Sequence, residues 1–130
     1  MQNRNRTGVL LFREGKILLV KHEQNGFVWW VPPGGGIEGS EDLFSAGKRE
    51  VWEETNLEIK PGKVVYLRQY IANENHVEVF ILGEITGGSE SMKNLEGLGG
   101  DEQCITELRY FSKDELQDKT VFPEIIKDEM

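Results

Sequence analysis

Residues 35–57 read GGIEGSEDLFSAGKREVWEETNL. Within them, residues 41–55 hold no proline and no glycine except Gly47, so the spacing predicts a helix, with Ser40 as its N-cap. At about 100° per residue, Glu50, Glu53 and Glu54 fall within an arc of about 100° on that helix. They are (i, i+3) and (i, i+4) neighbours and repel one another. Glu53 and Glu54 also sit in the last turn, where the helix dipole is already negative and lysine or arginine would be the stabilising choice. A lone E-x-x-E is ordinarily a solvated face. Three carboxylates gathered at the unfavourable end make sense when a divalent cation neutralises them, and hard Mg²⁺ or Mn²⁺ prefers such oxygen ligands. The opposite side is expected to carry Leu43, Gly47 and Val51, with Phe44 and Trp52 beside them, and to pack on a sheet.

Upstream, Gly34, Gly36 and Gly39 form a literal G-x-G-x-x-G, the pattern of a dinucleotide-binding turn, and Glu58 stands about 20 residues further on. Tandem Pro32-Pro33 occupies the place where the feeding strand of such a turn should end. A second nucleotide-binding half would not fit comfortably in 130 residues. The acidic helix then decides against that reading.

Taken together, residues 35–57 resemble the Nudix box, G-x5-E-x7-R-E-U-x-E-E-x-G-U, where U is a bulky apolar residue. Gly35, Glu41, Arg49-Glu50-Val51, Glu53-Glu54 and Leu57 all stand in register. One position departs: Asn56 occupies the place of the family's glycine, and asparagine is the residue that best tolerates the left-handed conformation glycine supplies after a helix. The preceding "WWVPPGGG" is similar to the family's aromatic-x-x-Pro-Gly-Gly approach. The resemblance implies an α+β fold, the MutT-like α/β/α sandwich with a mixed β-sheet between helices. It implies metal-dependent hydrolysis of a pyrophosphate bond in a nucleoside diphosphate linked to another moiety.

The resemblance also implies roles. Glu53 and Glu54 are core metal ligands, Glu50 is a further ligand or the base that activates water, and the carbonyl of Gly34 is an additional ligand. Arg49 orients a box carboxylate, reaching Glu53 at i+4 and pairing with Glu41. Glu41 supports the ligands from behind or joins them, or else is simply a favourable charge at a helix N-terminus. Gly35 and Gly36 present backbone to the substrate. An acid beyond the box is expected, with Glu102 preferred over Asp101, Glu96 and Glu90. Arg68 and Tyr70 are placed on the substrate side of their strand. Trp30 takes a structural role, while Trp29 and Phe27 are candidates to stack on a base. His76 reads as a turn or strand-edge residue.

The remaining chain supplies the frame. Residues 7–12 and 17–22 read as a β-hairpin around Arg13-Glu14-Gly15-Lys16. Residues 27–31 form a short aromatic strand. Leu57 to Ile59 could open a strand that Pro61-Gly62 turns. Residues 64–71 and 77–85 are β-rich on either side of "ANENH". Residues 86–100 read as a long Gly- and Ser-rich loop. Residues 104–111 are a last strand, Ser112-Lys113-Asp114-Glu115 is a capping box opening a short helix, and Pro123 begins another.

The length of 130 residues fits one domain, 1–130. One cysteine excludes an internal disulfide framework, and Cys104 reads as a buried small hydrophobe. With no signal-peptide pattern and no apolar run of membrane-spanning length, a cytoplasmic protein without membrane partners is expected. The formal net charge of −8 disfavours nucleic acid as a partner. A small-molecule nucleotide substrate is favoured, and a homodimer is compatible with the apolar content. Two alternatives share the fold: a non-catalytic sensor of a nucleotide metabolite, which intact Glu50, Glu53 and Glu54 argue against, and an RNA 5′-pyrophosphohydrolase, which the acidic charge argues against.

Overall fold

A computed structural model of the chain describes residues 5–71, 73–96, 98 and 104–129. The strands are β1 (Asn5–Leu10), β2 (Phe12–Arg13), β3 (Lys16–Gln24), β4 (Phe27–Val31), β5 (Gly34–Gly36), β6 (Leu57–Ile71), β7 (Asn75–Gly88) and β8 (Ile105–Phe111). The helices are α1 (Leu43–Thr55), α2 (Lys113–Leu116) and α3 (Ile125–Glu129).

The expected first hairpin forms only around its turn, as β2–β3. Residues 7–10 belong to β1, which pairs with β5 and β7 in the other sheet because a parallel partner on β7 carries it away from β3. Arg13 pairs with Lys16, so Glu14 and Gly15 alone make the turn, and both have positive φ (52° and 77°). That is the two-residue geometry whose twist matches the flanking strands. Asn25-Gly26 repeats it between β3 and β4, with φ of 54° and 81°.

The mixed sheet runs β5-β1-β7-β6, with β1 parallel to β7 and the other pairs antiparallel. The strands β2-β3-β4, with β8 on β3, form a second, antiparallel sheet rather than an extension of the first. Side chains alternate across β1. Val9 and Leu11 join Leu18, Val51, Leu57, Ile59 and Ile81 in a core beneath α1. Leu10 joins Trp30, Phe80, Phe111, Leu116 and Ile126 in a core under α2 and α3. Helices therefore cover the mixed sheet on both faces, the layering of an α/β/α sandwich.

Three sequence expectations are corrected here. Helix α1 starts at Leu43, and its N-cap is Asp42, not Ser40: the Asp42 carboxylate accepts the Ser45 N–H at 2.8 Å. Glu41 is unavailable to open the helix because its carboxylate accepts the Glu38 N–H at 2.9 Å and faces Arg49. Second, Phe44 and Trp52 are 39% and 48% exposed, whereas Glu50 and Glu54 are 2% and 3% exposed on the same face as Gly47 and Val51. The carboxylates thus share the packed face rather than opposing it. Third, Pro61-Gly62 does not end a strand. β6 runs through it, and a register shift between Pro61 and Val64 absorbs the irregularity as a bulge. The capping box at Ser112 forms as read, with Ser112 and Glu115 bonded reciprocally.

Candidate functional site

Strand β5 lies antiparallel on β1, with Thr7 opposite Gly35, and its next residues lead into α1. The packing of α1 on β1 and β7 is close because residue 47 is glycine: a Cβ there would stand 3.1 Å from Val9 Cγ2 and 3.2 Å from Ile81 Cδ1. This approach drives Glu50 against β5. A Cβ on Gly35 would lie 2.5 Å from Glu50 Oε1 and 2.8 Å from Oε2. Gly35 is therefore the floor on which the Glu50 carboxylate rests. Next to it, the Gly34 N–H donates to Glu54 Oε1 at 3.2 Å, so two carboxylates of the helix end are held against the glycine strand.

Arg49 is the hub of the cluster. Its Nε and Nη2 donate to Glu41, at 3.2 Å and 2.7 Å, and Nη2 also reaches the Gly36 carbonyl at 2.9 Å. Its Nη1 donates to Glu50 Oε1 at 2.9 Å and Glu53 Oε1 at 3.2 Å, with Glu38 at 3.7 Å. Both expected partners, Glu53 and Glu41, are found. The guanidinium's planar fork suits such multiple acceptors. Arg49 holds the Glu41 carboxyl below the usual range, chiefly through their hydrogen bonds. Glu50 moves the other way: burial pushes its carboxyl up, opposed by Glu54 and by the Arg49 guanidinium.

The C-terminus of α1 is clasped rather than merely stopped. Asn56 has φ 63° and ψ 17°, the left-handed cap expected of a glycine stand-in, and its N–H donates to the Trp52 carbonyl. Its side chain does more than glycine can. Asn56 Nδ2 donates to the Ser89 carbonyl at 2.9 Å, and Asn94 Nδ2 donates both to Asn56 Oδ1 at 2.9 Å and to the Trp52 carbonyl at 3.0 Å. The same segment is fixed to the second sheet, where Tyr110 Oη donates to Glu90 Oε2 at 2.6 Å and Arg13 Nε donates to it at 2.9 Å.

A cleft opens beside Gly34, Gly35, Gly36 and Glu54. One wall is Trp29 and His22; the other is Arg6, Arg68, Glu78 and Phe80. The Trp29 and His22 rings are stacked at 5.3 Å. Arg68 Nε donates to Glu78 Oε1 at 2.7 Å, with Arg6 Nε 3.8 Å from Oε2. Arg68 thus reaches the cleft as expected. Tyr70 is not among its lining residues and lies beneath the Arg68 guanidinium, stacked on His76. Trp30 is buried, edge-on to Phe111, in the structural role read for it. Phe27 is exposed and stacks on Trp29 from outside the lining. Cys104 is half-buried at the cleft rather than in the core. Glu102 and Asp101 lie outside the described residues, Glu96 is exposed, and Glu90 is committed to Tyr110 and Arg13. The sequence reading missed Thr7, Glu78 and Arg6. Each reads locally as an ordinary strand residue, and only the pairing of β1, β6 and β7 brings them to the site.

Among the described residues, no three His, Cys, Asp or Glu side chains converge as a ready metal cage; the Arg49 guanidinium stands between Glu50 and Glu53. The donor set nevertheless fits a hard divalent cation. It is all oxygen, it gathers acids at a helix end with no basic residue in its last turn, and Glu50 Oε2 is buried without a hydrogen-bond partner.

A family model described as NUDIX domain matches residues 2–127. A segment of 59 residues, 45% of this chain, is 41% identical to the phosphatase NudJ of Escherichia coli (strain K12), and it spans 39% of that relative's own length. Among solved structures, a NUDIX hydrolase from Nitrosomonas europaea superposes with a TM-score of 0.78 at 17% identity, covering 98% of this chain and 85% of that one. A MutT NUDIX hydrolase from Burkholderia pseudomallei gives 0.75 at 22% identity, covering 98% and 96%. At these identities the structural matches speak for the fold.

Proposed function

The chain belongs to the NUDIX family, and on that premise we propose that it hydrolyses a pyrophosphate bond in a small nucleoside diphosphate derivative with the help of Mg²⁺ or Mn²⁺. One observation carries the reading: the partnerless Oε2 of Glu50, buried against Gly35, at the head of a carboxylate group that no stability requirement explains. The similarity to a phosphatase is in keeping with cleavage at phosphorus.

Glu53, Glu54 and the Gly34 carbonyl would hold the metal, with Glu50 either a further ligand or the base beside it. When bound, it neutralises the pyrophosphate and acidifies water. The protein's own residues carry the rest. Arg49, anchored on Glu41 and the Gly36 carbonyl, fixes the directions of Glu50 and Glu53. In the metal-free site burial pushes the Glu50 carboxyl up, the direction that suits a base for the attacking water. The Gly35–Gly36 backbone lets the anhydride approach without side-chain obstruction. The Trp29–His22 stack and the Arg68–Glu78 pair bound the space for the remaining moiety, a flat surface facing a charged one.

The test is a panel of nucleotide pyrophosphates incubated with Mg²⁺ and resolved by chromatography, with Glu53→Gln in parallel. Expected are turnover of at least one member and its loss in the variant and without Mg²⁺. Undiminished turnover by Glu53→Gln would refute the site. Tight binding of one member without turnover would favour a sensing role instead.

A further inference from the structure

Among the described residues, two buried side-chain polar atoms lack a hydrogen-bond partner, Thr7 Oγ1 and Glu50 Oε2. They belong to elements far apart in sequence, yet they meet at one seam. Thr7 is the cross-strand partner of Gly35, and the Glu50 carboxylate rests on Gly35. Gly47, one turn before Glu50 on α1, would place a Cβ 3.7 Å from Thr7 Oγ1. Both side chains therefore point into the contact between β1, β5 and α1, where the glycines leave room that side chains would fill. Thr7 also lines the cleft beside Gly34, Gly35 and Glu54, so the seam borders solvent.

Buried polar groups are almost always satisfied, and a partnerless one costs free energy comparable to a lost hydrogen bond. Both exceptions border the same glycine, Gly35. A threonine hydroxyl is a donor, and a carboxylate oxygen is an acceptor. The two are complementary, and a solvent molecule with several polar neighbours is the usual bridge between such groups. Nothing in the core demands the hydroxyl. The neighbouring residues Val9 and Ile81 are apolar and fully buried, and valine would suit them as well as threonine does.

We propose that Thr7 is a positioning residue of the carboxylate site: through one shared solvent molecule, its hydroxyl holds Glu50 Oε2 in the orientation in which the cluster receives a divalent cation. The inference rests on the metal-dependent reading above. It assigns the role to the hydroxyl and not to the shape of the side chain, and that distinction is testable because the two parts of the threonine predict opposite outcomes.

The experiment compares wild type, Thr7→Val and Thr7→Ser as full chains. Mn²⁺ affinity is measured by calorimetry without substrate, and Tm is measured in EDTA. Thr7→Val keeps the shape and removes the hydroxyl. Its affinity for Mn²⁺ is expected to fall at least fivefold while Tm stays within about 4 °C of wild type, since the loss of one solvent-bridged bond is offset in part by a methyl among apolar neighbours. Thr7→Ser keeps the hydroxyl and is expected to bind Mn²⁺ within about twofold of wild type. Wild-type affinity in Thr7→Val overturns the proposal. So does weak binding in Thr7→Ser, which would assign the effect to the methyl, and so does a loss of affinity that comes only with a fall in Tm beyond about 4 °C. No Mn²⁺ binding by the wild type would sink the metal-dependent reading itself, whereas wild-type binding with an unaltered Thr7→Val sinks only the role of Thr7.

Discussion

Replacing Glu50 with glutamine is expected to stabilise the metal-free protein while removing its activity. The sign follows from the surroundings of the carboxylate. Glu50 is 2% exposed, and Glu53 and Glu54 are its like-charged helical neighbours. Its favourable partner is Arg49 Nη1 at 2.9 Å. These opposing contributions do not cancel: the net effect pushes the carboxyl up, so the folded state disfavours the charge more than the guanidinium favours it. Glutamine keeps an acceptor for Arg49. The guanidinium is not orphaned, because Glu41, Glu53 and the Gly36 carbonyl remain. Removing the one repulsive pair, that with Glu53, contributes about 0.2–0.5 kcal/mol before the relief of burial is added. For a chain of this size that alone is a rise in Tm of about 1–2 °C.

The assay is thermal unfolding in EDTA across pH. A group whose folded-state affinity for protons is raised contributes stability that is fully present below the ordinary glutamate value of about 4.5 and is lost as pH rises through the raised value. The gain from Glu50→Gln should therefore be absent near pH 4 and grow as pH rises through the raised value. Saturating Mg²⁺ should reverse the order, because only the wild type gains binding free energy from the cation. A lower Tm for Glu50→Gln at pH 8 in EDTA would refute the reasoning, by showing that the ion pair with Arg49 outweighs burial.

Gly35→Ala would drive a methyl into the Glu50 carboxyl, 2.5–2.8 Å from its atoms. That carboxyl ends a flexible chain and can swing away, so the fold should persist by circular dichroism while kcat/KM falls by about two orders of magnitude, roughly 2.7 kcal/mol of transition-state stabilisation. Retained activity would count against Glu50's place on the glycine floor. Tyr110 is pushed up to about 12 by burial and then by its bond to Glu90. Being raised, it contributes stability that is intact below the ordinary tyrosine value of about 10 and is lost as pH climbs through 12. Urea unfolding of Tyr110→Phe should show a flatter decline over that range than wild type; an identical decline would remove Tyr110 from the latch.

The identity and spacing of the acidic helix were legible because the pattern is local. Three glutamates at a helix end conflict with the dipole whatever the tertiary structure does. Their burial was not legible, because the convention that charged residues face solvent assigned Glu50 and Glu54 to the outside and Phe44 and Trp52 to the inside. The structure reverses both. Angular bookkeeping alone places Leu43 inside the arc of the glutamates, so the reversal was available in the helix geometry and was overruled by hydrophobicity. The cap moved from Ser40 to Asp42 for a related reason: the preference of Glu41 for Arg49 depends on a residue two turns away, which capping rules do not see. Pro61-Gly62 misled because a bulge and a turn carry the same residues, and only the partner strand β7 distinguishes them.

Asn56 shows how a departure from a pattern can be compensated at a distance. The left-handed backbone conformation could be anticipated from asparagine alone. The use of its side chain could not. Asn94 and the Ser89 carbonyl lie beyond two long strands, and they meet Asn56 only because β6 and β7 pair from Leu57↔Gly88 onward and return the chain to the end of α1. That return matters for the site. The amide of Asn94 donates to the Trp52 carbonyl, one of the groups that make the helix end negative, at the turn that carries Glu53 and Glu54. A glycine cap would lose the Asn56 side chain that seats Asn94 and ties the Ser89 carbonyl to the helix end. The asparagine pair partly offsets the repulsion that the three carboxylates build up, and it does so without a cation of its own, leaving the carboxylates unneutralised for one that binds.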